Sequence, residues 1–183
     1  MNASTDLTIQ RHDGQGLREQ KDDVLSVYRE AYAERLDDPF FYPGRFWERI
    51  EGGSQRGGFR LVTGRVNGEL VGFSLGGILP PNTGWWRNLK SDVDAEFLRE
   101  TGSRTFGINE LQVRPVWRRR GYAKALSQAL LEGLPVERAT LLVRAENIAA
   151  FTAYKSWGFV VIGQMQPFDD SPVYQVMVKA LQT

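Results

Sequence analysis

The chain contains no cysteine and one histidine, His12. The first absence removes disulfides, thiolate metal sites, thiol nucleophiles and cysteinyl acyl intermediates together. The second leaves a Ser-His-Asp triad or a histidine-rich metal site close to excluded, so no metal is expected. No run approaches the roughly 20 apolar residues that cross a bilayer, and the opening stretch MNASTDLTIQ lacks the charged and apolar regions of a secretory signal. A cytoplasmic protein with no membrane partner is therefore expected. Neither sign of charge prevails. Twenty-three Lys and Arg against 22 Asp and Glu leave a net +1, which weakens any reading as a basic nucleic-acid-binding domain. Chemistry in such a chain must come from carboxylates, Tyr, Ser, Thr, Lys, backbone groups or a bound cofactor.

What is present suits one domain spanning residues 1–183, since 183 residues with 42% hydrophobic and 25% charged side chains can bury one sizeable core. Asp6 to Gln10 alternates weakly as a first strand. Glu19 to Arg35 carries Val24, Val27, Tyr28, Ala31 and Tyr32 at helical spacing, predicting an amphipathic helix after the turn-rich Asp13 to Gly16. Pro43 opens a short second helix through Phe46, Trp47 and Ile50, closed by Gly52 and Gly53. Phe59 to Val66 and Glu69 to Leu79 flank Asn67-Gly68, the dipeptide of a type I′ hairpin. Pro80 to Thr105 is a long polar connection, with a possible helix from Asp92 to Glu100 and the adjacent Trp85 and Trp86. Connections of that length are often functional. The remainder reads as strand (Phe106 to Val113), helix (Arg118 to Leu131), strand (Arg138 to Val143), helix (Asn147 to Trp157, stopped at Gly158), and two closing strands (Phe159 to Gly163, Val173 to Val178) around the loop Gln164 to Pro172. Helix crossovers between strands imply a parallel or mixed sheet.

The stretch Val113 to Leu126, VRPVWRRRGYAKAL, is the local anomaly. A helix N-terminus offers unpaired backbone N-H groups and a partial positive charge, so it attracts phosphate. Gly121 lets a ligand approach where a side chain would hold it away. Arg118, Arg119, Arg120 and Lys124 around that turn suit a pyrophosphate with a further phosphate nearby. On spacing alone, a solvated arginine cluster at the start of an ordinary helix is an equal reading. A third takes Arg118 to Arg120 as a nucleic-acid contact, with Tyr122 available for stacking.

Two motifs bear on that choice. Leu111-Gln112-Val113-Arg114-Pro115 followed by Arg118-Arg119-Arg120-Gly121-Tyr122-Ala123 resembles the Arg/Gln-x-x-Gly-x-Gly/Ala signature of the GCN5-related N-acetyltransferase (GNAT) family. Asn147 to Phe159, NIAAFTAYKSWGF, is similar to the family's Asn-x-x-Ala-x-x-x-Tyr-x-x-x-Gly-Phe pattern. The resemblance is specific from about Phe106 to Phe159 and looser from Glu19 to Leu79. It implies an α/β (α+β) fold: a mixed, mostly antiparallel twisted sheet of six to seven strands, flanked by about four helices, with a splayed central parallel pair. It also implies acetyl-CoA as co-substrate and direct acetyl transfer to a primary amine, here of a small-molecule acceptor and not a nucleic acid. The backbone of Leu111, Gln112 and Val113 would pair with the pantetheine arm. The turn Arg118, Arg119, Arg120, Gly121, Tyr122 and Ala123, with Lys124, would hold the pyrophosphate, and Arg119 or Arg120 could reach the 3′-phosphate. Asn147 would be a helix N-cap, a CoA contact, or both.

Tyr154 resembles the family tyrosine that protonates the departing thiolate; its alternative is a core aromatic on the face of Ala150 and Trp157. Glu110 is the first candidate for general base, against an ordinary strand carboxylate, with Asp169 and Asp170 second. His12 can serve as base only if it folds in from the first strand. Trp85 and Trp86 are expected to line the acceptor pocket, the alternative being anchors of their loop. A same-fold module that holds acyl-CoA without turnover is the remaining rival, and a homodimer through exposed closing strands is compatible with the pattern.

Overall fold

The computed structural model describes residues 7–181. In chain order these form β1 (Thr8–His12), α1 (Gly14–Glu19), α2 (Lys21–Ala31), α3 (Pro43–Ser54), β2 (Arg60–Val66), β3 (Glu69–Ile78), α4 (Ala95–Leu98), β4 (Thr105–Val113), α5 (Tyr122–Leu131), β5 (Arg138–Val143), α6 (Ile148–Ser156), β6 (Val160–Met165) and β7 (Tyr174–Ala180). Short 3-10 turns occupy Ala33–Arg35, Pro39–Phe41 and Pro115–Trp117. The seven strands follow the order β1-β2-β3-β4-β5-β7-β6. β4 and β5 run parallel, from Thr105↔Arg138 to Ile108↔Leu141; the registers of β1 with β2, β2 with β3, β5 with β7 and β6 with β7 are antiparallel. The expected mixed sheet and its parallel pair are thus present. Four helices have nine residues or more, α2, α3, α5 and α6, with α1 and α4 as shorter additions. No helix among the described residues is long and apolar enough to cross a membrane.

The chain divides into two compact units. The first takes the residues through Gly77 together with Asn109–Glu132. Its core joins Leu17, Val24, Val27 and Tyr28 of the first two helices to Phe46 and Trp47 of α3 and to Leu61, Leu70 and Phe73 of the hairpin. Tyr28 stacks on Phe46 with ring centroids 3.9 Å apart. Such pairs add about 0.5–1.5 kcal/mol beyond the area they bury. Asn67 (φ 50°) and Gly68 (φ 83°) give the hairpin the two left-handed residues of a type I′ turn. Arg11 donates to the Ala129 carbonyl and Arg60 to those of Leu130 and Glu132, covering the C-terminal end of α5.

The second unit takes Ile78–Ile108 and the residues from Gly133 onward. Leu79, Trp86, Met165, Val176 and Val178 form its buried centre. Lys90 and Gln164 exchange backbone hydrogen bonds of 2.8 and 3.1 Å, which ties the long connection to β6.

Several expected boundaries move, each for a physical reason. Asp6 lies outside the described residues, and the first strand runs on to His12. The segment expected as one helix from Glu19 to Arg35 is divided, because Gln20 closes α1 and precedes α2. Gly14 and Gly16 belong to α1 and not to a turn: a Cβ on either would lie 2.6 Å from Ser54 O or His12 Cβ, so packing selects glycine there. Gly52 and Gly53 do not close α3; they sit within it, and it runs to Ser54. The expected helix over Asp92 to Glu100 is the single turn of α4, capped by Asp94, whose carboxylate accepts from the Phe97 amide at 2.7 Å. Arg118, Arg119 and Arg120 precede α5, which starts at Tyr122.

Candidate active site

In the first unit the candidate residues descend from β4 through a 3-10 turn into α5. The parallel ladder of β4 ends at Ile108, and Leu111, Gln112 and Val113 lie beyond it on the same strand. Gly72 of β3 brings the hairpin close beneath them: a Cβ there would lie 2.6 Å from the Gln112 carbonyl oxygen and 3.1 Å from Leu126 of α5. Arg114 then fastens the end of the strand. Its amide bonds the Val71 carbonyl at 2.8 Å, and its buried guanidinium donates to the Leu70 carbonyl (2.7 Å), to Ser26 Oγ (3.2 Å) and to the Glu30 carboxylate.

The turn that follows has two left-handed residues, Arg119 (φ 62°) and Gly121 (φ 81°). Gly121 occupies the N-cap of α5 and supplies no side-chain cap, which leaves the amides of Ala123 and Lys124 for a ligand. A Cβ at Gly121 would meet no heavy atom within 4 Å. The space over the helix end is open, so the residues present fit a phosphate group. The three arginines are not equivalent. Arg118 Nε donates to the Val113 carbonyl (3.2 Å), and Arg120 lies over the Trp117 ring at 4.9 Å. Arg119 carries the strained backbone, and it and Lys124 are exposed. Tyr122 is buried, with its ring 6.2 Å from that of Trp117. Its ring is part of the packing of this turn.

Glu110, half-buried on β4, accepts from the Tyr32 hydroxyl at 3.1 Å and from Gln112 Nε2, which also donates to the Tyr32 oxygen at 3.0 Å. The Glu110 carbonyl accepts from the buried Ser74 hydroxyl at 3.0 Å. Tyr32, placed by its spacing on the buried helix face, is a contact that sequence reasoning missed. It sits one residue past the end of α2, where helical periodicity no longer reports which way a side chain points. His12 does not reach this group of residues. β2 and β3 stand between β1 and β4 in the strand order, and His12 Nε2 lies 2.8 Å from Thr63 Oγ1. Burial, and then the neighbouring Arg65 charge, lower its pKa.

In the second unit, Asn147 caps α6, its Oδ1 accepting from the Ala150 amide at 3.2 Å. Tyr154 is half-buried, with its ring edge-on to Trp157 (5.4 Å) and Phe159 (5.9 Å). The ring is packed on these two neighbours and keeps some exposure. Asp169 and Asp170 are exposed in the β6–β7 loop, where Gln166 Nε2 donates to the Asp169 carbonyl at 3.0 Å. Trp86 is buried, and its Nε1 donates to Glu100 at 3.0 Å. Trp85 is half-buried beside Gly107, where a Cβ would come within 3.2 Å of its ring. Adjacent aromatics in a polar stretch read equally as pocket or anchor from sequence. The Trp86 partner, Glu100, is 14 residues away in sequence, beyond the reach of local pattern.

The sequence model of the acetyltransferase (GNAT) family matches residues 21–159. No curated protein matches the sequence. Among solved structures, Ard1 from Thermoplasma volcanium superposes with a TM-score of 0.65 at 20% identity, covering 97% of this chain and 99% of that one. The ribosomal-protein-S18-alanine N-acetyltransferase from Escherichia coli gives 0.65 at 18% identity over 97% and 96%. The paia N-acetyltransferase from Thermoplasma acidophilum, solved in complex with coenzyme A, gives 0.59 at 14% over 96% and 99%. At these identities the structures speak for the fold, and the matched residues 21–159 speak for the family. The chain belongs to the acetyltransferase (GNAT) family.

Proposed function

We propose that this protein is a single-domain, acetyl-CoA-dependent N-acetyltransferase that acts directly on the primary amine of a small-molecule acceptor. The observation that carries the reading is the start of α5. A left-handed glycine, an uncapped helix end and open space follow three arginines in the turn after β4, and the positive end of a helix dipole favours an anion there. Two features support phosphate over polynucleotide. Arg118 and Arg120 are engaged by Val113 and Trp117, which leaves Arg119 and Lys124 as the arms for the outlying phosphate. The net charge of +1 adds no general attraction for a polyanion. That the family match crosses residues of both units supports one transferase domain.

Acetyl-CoA supplies the acetyl group as a thioester. The chain's own contribution is binding and proton handling. Backbone groups of Leu111 to Val113 hold the pantetheine arm, and the turn from Arg118 to Lys124 holds the phosphates, with Asn147 as a further contact. The Glu110 carboxylate takes a proton from the acceptor ammonium, since only the neutral amine has a lone pair for attack. The Tyr154 hydroxyl gives its proton to the departing thiolate. The absence of cysteine is compatible with direct transfer, which needs no cysteinyl intermediate.

Calorimetric titration with acetyl-CoA, repeated with a short DNA and a short RNA, is the test. Saturable binding to acetyl-CoA alone, followed by amine-dependent thiol release, is expected. No binding to acetyl-CoA together with salt-sensitive binding to polynucleotide would mean that the arginines serve a nucleic acid.

A further inference from the structure

We infer that Tyr32 is a positioning residue for turnover, holding the Glu110 carboxylate in the orientation in which it receives the acceptor's proton. This rests on Glu110 being the base. Glu110 sits on a strand, so its backbone is fixed, and the Ser74 hydroxyl on its carbonyl (3.0 Å) adds to that. Its side chain is another matter. A glutamate has three rotatable bonds, and confining it costs on the order of 1–2 kcal/mol of rotamer entropy. Two donors offset that cost from opposite sides in sequence, Gln112 on the same strand face and Tyr32 from the end of α2.

The third hydrogen bond, Gln112 Nε2 to Tyr32 Oη at 3.0 Å, sets the polarity of the group. Because the tyrosine oxygen accepts from Gln112, its one proton is directed at Glu110. Tyr32 is itself wedged. Its ring lies 4.7 Å from Tyr28 and 5.1 Å from Phe41, centroid to centroid. Tyr28 in turn stacks on Phe46 in the core of the unit. The hydroxyl is thus held from the core outward, and the carboxylate is held by the hydroxyl. A surface salt-bridge partner would not be built this way. The arrangement instead resembles the way a catalytic side chain is aimed by a second residue whose own rotamer is locked by packing.

A double-mutant cycle tests the inference, using the full chain, acetyl-CoA and whichever amine gives thiol release. Tyr32→Phe keeps the ring and removes the hydroxyl, which donates to Glu110 and accepts from Gln112. Its kcat is expected to fall on the order of 10-fold, the usual weight of one hydrogen bond to a charged group, with the amine KM and acetyl-CoA affinity changed by less than about 3-fold. In a Glu110→Gln background the same substitution should change kcat by less than about 2-fold, because nothing remains to be aimed. Gln112→Met, which takes away the second donor without touching the aromatic packing, should show the same loss and the same coupling, and it stands in if Tyr32→Phe melts at a lower temperature. Additive losses from Tyr32→Phe and Glu110→Gln, or unchanged turnover in both Tyr32→Phe and Gln112→Met, would overturn the inference and leave the base assignment standing. Wild-type turnover in Glu110→Gln would overturn the base assignment and the inference with it.

Discussion

At Gly121 two demands that sequence cannot separate become distinct. The residue has φ 81°, and a Cβ there would touch nothing within 4 Å. A bulky side chain is therefore opposed by backbone strain, about 1–2 kcal/mol for a left-handed L-residue, and by whatever ligand fills the space, but by no neighbour in the protein. Gly121→Val is expected to remain folded and to lose acetyl-CoA affinity by at least about 10-fold, which is about 1.4 kcal/mol. Calorimetry measures this, and an unchanged affinity would remove the phosphate cradle. Tyr154 separates its two aspects differently. Its ring packs against Trp157 and Phe159, and phenylalanine preserves those contacts. Tyr154→Phe should therefore move stability by no more than about 0.5 kcal/mol and lower kcat by on the order of 10²–10⁴, with acetyl-CoA affinity retained; equal turnover would return Tyr154 to a packing role. His12 yields a pH dependence. Burial and Arg65 lower its pKa in the folded chain below the ordinary 6.5, so the unfolded chain binds the proton more readily. Its contribution to stability is present above the unfolded pKa of about 6.5 and is lost as pH falls through the folded one. The melting temperature of the wild type should drop on acidification from pH 7 more than that of His12→Gln, and parallel curves would refute it.

Elements show why some of this was legible and some was not. The β2–β3 hairpin was readable because Asn67-Gly68 makes its demand locally, through two positive φ angles. β5 was readable to the residue because its aliphatic run is bounded by Glu137 and Arg144. The sequence pattern starts α5 at Arg118, four residues before its first helical residue, Tyr122. Arginine is a good helix former, and only the left-handed Arg119 and Gly121 show that the chain turns before the helix begins. The helix itself is bracketed along its axis. Its N-terminus has no side-chain cap, while Arg11 and Arg60 donate to three carbonyls at its C-terminal end, a placement that suits the helix dipole. Nothing in the period of a strand announces that Arg11 and Arg60 will meet there. The same is true of Glu100. Its Oε1 accepts from Arg138 (2.9 Å), Thr105 (2.8 Å) and Trp86 (3.0 Å), and the side chains of Glu100 and Arg138 are 1% and 6% exposed. This ion pair fastens the long connection to β4 and β5. Removing one member leaves a charge buried without a partner, so Arg138→Met should cost about 3–5 kcal/mol, whereas joining it with Glu100→Leu should recover much of the loss. Urea denaturation of the single and double variants checks this, and a double variant no better than the single would show that the pair is not what holds the segment.

At the scale of the whole molecule, the division into two compact units bears on how the chain melts. The units are not successive in sequence: the chain passes from one to the other after Gly77, Ile108 and Glu132. The second of these passages falls within β4, a continuous strand that contributes Thr105–Ile108 to one unit and Asn109–Val113 to the other. Because β4 is continuous across that passage, one cooperative transition is expected, with far-ultraviolet and near-ultraviolet signals coincident. That shared strand gives ligand binding a global readout. A ligand held at 100 times its Kd and bound only by the folded chain adds about 2.7 kcal/mol, and for a chain of this length each kcal/mol moves the melting temperature by about 2–4 °C. Acetyl-CoA at that concentration is expected to raise the midpoint by roughly 5–10 °C without splitting the transition. The Gly121→Val protein should show little of this shift at the same concentration. Two separated transitions, only one of them sensitive to acetyl-CoA, would mean that the units are independent and that the transferase reading belongs to one of them.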